Sequence, residues 1–143
     1  DEGVERPYIT GNVNIGSIQW SKDSKTIYFL AKLNDEKFTS LYQIPVDGGQ
    51  AQKVMSLKDT SISSYELSPD NQKVAILALP AKDKSEKELK KLGFMAEVYE
   101  LGLDNKQLFI VSLAKTDTPL KPTALNVSDY VSDMNWSANG LFL

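Results

Sequence analysis

The sequence predicts an all-β chain assembled from repeated four-stranded antiparallel units, and three observations carry that expectation. A strand–turn–strand pattern occurs three times, as IQWSKDSKTIYFL from Ile18, YELSPDNQKVAIL from Tyr65 and MNWSANGLFL from Met134. The middle of each copy is rich in the residues that make tight turns. The first two copies are spaced by the length of one four-stranded unit.

The strand before each turn places apolar residues at matching positions. These are Ile15, Ile18 and Trp20 in the first copy, Ile62, Tyr65 and Leu67 in the second, and Val131, Met134 and Trp136 in the third. A spacing of three followed by two breaks strict alternation, which predicts a bulge or bend between Ile15 and Ile18. The turns are Ser21-Lys22-Asp23-Ser24-Lys25, Ser68-Pro69-Asp70-Asn71-Gln72 and Ser137-Ala138-Asn139-Gly140. Proline presets φ, and Asp, Asn and Gly tolerate the tight backbone that joins antiparallel strands. The strands after the turns, Thr26 to Leu30, Lys73 to Leu79 and Leu141 to Leu143, are apolar on both faces. Such strands are covered on both sides, as when sheets stack.

The first unit continues through Ser40 to Val46, a turn at Asp47-Gly48-Gly49, and a short strand from Gln52 to Met55. Asp-Gly-Gly between two such runs is a hairpin signal. Pro45 lacks an N–H for a ladder, so its strand is expected near an edge or locally irregular. The second unit answers with Gln107 to Leu113 and a weaker fourth strand near Pro122 to Leu125.

Trp20 and Leu67 lie 47 residues apart, and Leu67 and Trp136 lie 69 apart. The first offset fits the roughly 40–50 residues of a four-stranded propeller blade. The surplus falls in a charged insertion, Ala81 to Gly93, where Ser85 and Glu88 form a capping box and Gly93 a C-terminal stop. It is expected as a solvated helix on a loop, with a lid or contact element as the alternative. Arg6 to Thr10 occupies the place of a fourth strand from a preceding unit. The expected division is therefore an outer strand at 1–12, a blade at 13–60, a blade at 61–127 with its helical insertion near 81–96, and the start of a third at 128–143. That is about two and a half blades of a truncated β-propeller. Such a piece leaves sheet edges open, so it is expected to self-associate through them or to be marginally soluble.

Composition narrows the chemistry. The chain has 143 residues, 41% of them hydrophobic and 24% charged, the profile of one globular domain. A net charge of −3 offers no electrostatic case for nucleic acid or an anionic membrane as partner. No apolar run approaches the roughly 18–20 residues that span a bilayer, and no signal peptide is visible. The chain opens on Asp1 instead of Met, which is compatible with a cleaved leader. Cysteine and histidine are both absent, which removes disulfides, thiol catalysis, imidazole-based nucleophilic sites and His- or Cys-ligated zinc. Paired carboxylates are not excluded.

Four-stranded units with a turn like WSPDG after the first strand and an LY…DGG hairpin between the third and fourth resemble WD40-like propeller repeats. These are found in the TolB family and in the N-terminal propeller of prolyl-oligopeptidase-family serine peptidases. The matching residues are Trp20 to Ser24, Leu67 to Asn71 and Trp136 to Gly140, with Leu41-Tyr42 through Asp47-Gly48-Gly49 as the hairpin. EVYELGLDNKQLFIVSL, Glu97 to Leu113, is similar to a propeller segment of acylaminoacyl-peptidase-like members of that family. The resemblance implies a non-catalytic propeller, periplasmic or secreted with the cytoplasm as the alternative, that gates and positions peptide substrates for a C-terminal α/β-hydrolase domain. The alternative it implies is a TolB-like binding or scaffold propeller with no peptidase domain. The family's Gly-x-Ser-x-Gly elbow does not occur in this chain, since Gly16-Ser17 lacks the flanking pattern. No catalytic residue carries over, and no cofactor or metal is expected.

Each candidate site residue has a plainer reading. Trp20 and Trp136 could stack on a ligand, but their repeated position favours the core. Asp23, Asp70 and Asn139 could hold a cation, but a turn explains them. Asp47 to Gly49 and Asp104-Asn105 read as turns, and Lys82 to Lys91 as a solvated face of mixed charge. The loops at the two ends of the blades remain the places where binding is expected.

Overall fold

The computed structural model describes residues 8–11, 13–79, 106–113, 120–125, 131 and 133–140. The chain is all-β, with two four-stranded antiparallel sheets and no helix among the described residues. The first sheet contains β1 (Ile15–Trp20), β2 (Thr26–Ala31), β3 (Ser40–Pro45) and β4 (Gln52–Met55). The second contains β5 (Ile62–Leu67), β6 (Lys73–Ala78), β7 (Gln107–Ser112) and β8 (Thr123–Leu125). In both, strands neighbour one another in chain order, which is the meander of a propeller-like blade.

The expected bulge is present in both sheets. The β1–β2 register slips between Gly16 and Gln19, and the β5–β6 register slips between Ile62 and Ser64. Ser17 takes a φ of 51° there, a left-handed conformation unusual for a residue with a Cβ. The bulge restores facing: Ile15, Ile18 and Trp20 share one side of β1, while Gln19 points toward the second sheet.

The two sheets stack face to face. Tyr28, Leu30, Leu41 and Met55 of the first sheet pack with Ile62, Tyr65, Leu67, Val74, Ile76 and Val111 of the second. This inter-sheet layer is the main core. The other face of the first sheet gathers Phe29, Ala31, Tyr42 and Ile44, with Ile9 and Val13 laid against them. Phe29 and Tyr42 stack there with ring centroids 5.8 Å apart. The far face of the second sheet, Ala75, Leu77 and Leu108, is covered by Val131, Met134 and Trp136. Both central strands β2 and β6 are thus buried on both sides, as their continuous apolar character requires.

β3 is an inner strand, flanked by β2 and β4, so Pro45 does not mark an edge, but the strand is locally irregular as the alternative expected: its register with β4 shifts between Leu41 and Tyr42. The proline is tolerated because it ends the strand: β4 pairs only as far as Gln43↔Gln52, leaving no ladder position for the missing N–H. The third repeat forms its turn and its packing; Val131 and residues 133–137 carry no strand pairing, and residues 132 and 141–143 lie outside the described residues. Among the described residues no neighbour supplies them with ladder hydrogen bonds. Of the outer strand expected at Arg6 to Thr10, Arg6 and Pro7 lie outside the described residues; Tyr8 and Ile9 form bends, Ile9 packs against the outer face of the first sheet, and the Tyr8 hydroxyl donates to the Val46 carbonyl at 2.8 Å. The charged insertion and the Asp104-Asn105 turn lie outside the described residues.

Candidate functional site

The three repeated turns have one geometry. The Ser24 N–H donates to the Ser21 carbonyl at 2.9 Å, Asn71 to Ser68 at 2.8 Å and Gly140 to Ser137 at 2.8 Å. The last residue of each lies at positive φ: Ser24 at 55°, Asn71 at 56° and Gly140 at 68°. In each the serine hydroxyl meets the side chain two residues on, Asp23 and Asp70 at 2.6 Å and Asn139 at 2.8 Å. The same hydroxyls of Ser21 and Ser68 accept the N–H of Thr26 and Lys73, each at 2.9 Å, and both serines are buried. The carboxylates also accept a backbone N–H, from Lys25 at 3.1 Å and from Gln72 at 3.0 Å. The serine hydroxyl first, and then the backbone N–H, hold both Asp carboxyls below their ordinary range. These aspartates are therefore engaged in the turn. Among the described residues no three Asp or Glu side chains gather as a metal site.

The tryptophans at equivalent positions of the first and third repeats separate. Trp136 lies half-buried on the second sheet, and its Nε1 donates to the Glu66 carbonyl at 3.0 Å. Leu67, its counterpart one unit earlier, is buried against the first sheet, and its N–H donates to Gln19 Oε1 at 3.3 Å. Gln19 Nε2 also donates to Glu66 Oε2 at 2.7 Å, tying equivalent residues of the two sheets. Trp20 departs from the core expectation: it is 56% exposed, and Ile18 beside it is 63% exposed. The reason is positional. Leu67 and Trp136 each lean on the sheet before their own, and no described sheet precedes β1. Ile9 and Val13 cover the outer part of that face and leave its inner edge open.

A second polar group lies on the outer side of the first sheet. Glu36 pairs with Lys53 and accepts from the Ser40 hydroxyl at 3.0 Å. Burial pushes the Glu36 carboxyl up, but its contacts with Lys53 and Ser40 outweigh it and hold it below its usual range. Burial, reinforced by the Glu36 charge, pushes the Tyr42 hydroxyl up to about 12. Burial also raises Tyr65 and Tyr28. The Tyr42 and Tyr65 hydroxyls are buried without hydrogen-bond geometry to any described group. Tyr28 and Tyr65 belong to the layer between the sheets, and Tyr42 to the opposite face of the first sheet.

A concave feature lies among the described residues. A cavity of about 300 Å³ opens between the sheets at the end where β1 and β5 begin and β2 finishes. Both bulges face it. Sequence reasoning placed binding at the blade ends but could not select this one, because the cavity arises from stacking two bulges that are 47 residues apart in the repeat. Gly48 and Gly49, at φ of 104° and 128°, make the Asp47 turn that was expected, with the Gly48 N–H donating to the Pro45 carbonyl at 3.1 Å. Lys82 to Lys91 lie outside the described residues.

No protein-family model matches the chain, and no curated protein matches it either. The class of protein the geometry defines is a stack of propeller-like blades.

Proposed function

We propose that this chain is the non-catalytic propeller segment of a prolyl-oligopeptidase-family serine peptidase, where it gates and positions peptide substrates for an α/β-hydrolase domain carried elsewhere in the polypeptide. The periplasm or the extracellular space is the compartment that goes with this reading. The observation that carries it is the face-to-face stacking of two bulged four-stranded meanders with a third repeat docked on the second. The similarity of Glu97 to Leu113 to acylaminoacyl-peptidase-like propellers selects this family among propellers. The lack of any histidine is consistent with a role that leaves bond cleavage to another domain.

Reading the coding sequence downstream of Leu143 tests the proposal. It expects a Gly-x-Ser-x-Gly elbow followed by Asp and His, and a continuation without them sinks it. The chain by itself should not turn over peptide esters. The second reading, a TolB-like binding or scaffold propeller, is favoured by the cavity between the blade ends. It expects further repeats and no hydrolase.

A further inference from the structure

The first two repeated turns carry aspartate at their third position, and the third carries an asparagine, Asn139, followed by Gly140. No other asparagine in the sequence precedes a glycine. That pairing has a chemistry of its own. Glycine has no Cβ to shield its backbone nitrogen, so the nitrogen can attack the side-chain amide that precedes it. Gly140 N bonds to Asn139 Cγ, the Cγ–Nδ2 bond breaks, and Nδ2 leaves as ammonia with the Gly140 amide proton. Water then opens the resulting succinimide ring. Attack at Cγ leaves aspartate, and attack at the main-chain carbonyl carbon leaves isoaspartate. Asn139 is exposed and Gly140 half-buried, so water reaches both.

The closed turn holds this reaction back. The Gly140 N–H donates to the Ser137 carbonyl at 2.8 Å, and Asn139 Oδ1 accepts the Ser137 hydroxyl at 2.8 Å. Both reacting groups are thereby tied to Ser137 and not to each other, and the nitrogen reaches Cγ only when the turn opens. Exposed turns open locally at a small part of the cost of global unfolding. We infer that Asn139 deamidates spontaneously, at a rate set by opening of the third turn, and that the fold accepts the aspartate product. Acceptance follows from the other repeats, where Asp23 and Asp70 hold the same place and take the Ser21 and Ser68 hydroxyls at 2.6 Å. Isoaspartate instead routes the main chain through the side-chain carbons, which lengthens the path from Ser137 to Gly140 and breaks the turn. The inference holds whichever propeller reading is correct, because it concerns this chain's own chemistry, so its failure leaves the peptidase proposal standing.

The test is incubation of the whole chain at mildly alkaline pH, with peptide mapping by mass spectrometry to follow the mass gain of an amide turned acid. Conversion should appear at Asn139 before any other asparagine. It should run at least about tenfold faster in guanidinium chloride that unfolds the chain than in buffer, because only the open fraction reacts. Ser137→Ala, which frees the Asn139 side chain from its hydroxyl, should raise the rate in buffer and leave the rate in denaturant unchanged. Gly140→Ala, compared with the parent in denaturant so that its folding does not matter, should slow conversion by shielding the nitrogen. Asn139→Asp reproduces the aspartate product. It should leave in place the indole N–H resonance of Trp136, whose Nε1 donates to the Glu66 carbonyl, showing the third repeat still seated on the second sheet. Earlier conversion at another asparagine, equal rates in buffer and denaturant, indifference to Ser137→Ala or Gly140→Ala, or a displaced Trp136 resonance in Asn139→Asp would each overturn the inference.

Discussion

Replacing Ser68 with alanine measures what the repeated turn contributes to the fold. The hydroxyl is 2% exposed and serves two partners, donating to Asp70 Oδ1 at 2.6 Å and accepting the Lys73 N–H at 2.9 Å. Alanine leaves that N–H without its acceptor in the turn. A neutral hydrogen bond contributes about 1 kcal/mol net, and leaving a buried donor unpaired costs about 1–3 kcal/mol. Asp70 itself is open to water, which takes over from the lost hydroxyl, so it adds little. Ser68→Ala should therefore cost about 1–3 kcal/mol. With a urea slope of about 1–3 kcal/mol per molar, the midpoint should fall by about 1 M at unchanged slope. Equilibrium unfolding at pH 7, followed by circular dichroism, reads this directly. Ser56→Ala, at an exposed position, is the control and should stay within about 0.5 kcal/mol. The acid limb gives a second readout. Asp70 is held below its ordinary value of 3.8 in the fold, so its contribution is present above that value and is lost as pH falls through the lowered one. Ser68→Ala should flatten that loss. A cost no greater than the control's, or an unchanged acid limb, would refute the assignment of the turn's stability to this hydroxyl.

Other outcomes follow from the same geometry. Ser24→Gly removes a Cβ from a residue at φ 55°, so it should stabilise by about 0.5–1 kcal/mol after the extra freedom of the unfolded glycine is counted, visible as a rise of a few degrees in melting temperature. Trp20→Ala should cost less than Ile76→Ala, which empties a site of 0% exposure and should lose about 2–5 kcal/mol. In fluorescence, iodide should quench Trp20 well before Trp136; equal quenching would contradict the exposed edge of β1. Tyr42, held up to about 12 in the fold, keeps its stabilising share below the ordinary tyrosine value of 10.0 and loses it as pH rises from there through about 12. An alkaline unfolding series monitored at 295 nm should show stability falling over that window, and Tyr42→Phe should remove part of the fall.

The parts of the fold that were legible are those encoded by near neighbours. Ser21, Asp23 and Ser24 specify a turn within four residues, and the apolar runs of β2 and β6 announce burial on both faces. The bulge was legible because the three-then-two spacing of Ile15, Ile18 and Trp20 is a local signal. What failed depended on distant company. Trp20 carries the same chemistry as Trp136, but its burial is decided by whether another sheet lies against it. Pro45 looked like an edge residue because sequence does not show how far β4 runs alongside β3. The cavity was hidden for the same reason: Leu30 and Ile62 look like any other core residues until the two sheets are stacked.

The third turn closes without a strand ladder beside it among the described residues, and the Ser137–Asn139 and Gly140–Ser137 contacts span it as their counterparts do in the first two turns. A structure set by atoms three residues apart needs almost no loop closure, so its entropic cost is small and its formation falls on the microsecond scale of hairpins. In the complete sheets the same turn then acts as a folding seed: it brings β1 onto β2, and β5 onto β6, in one alignment before any distant face is met. Within the first meander the paired strands follow one another closely in sequence, whereas in the second β6 must find β7 across the stretch from Ala78 to Gln107, which slows its closure. The slow event left to this chain is the docking of one finished sheet on the next.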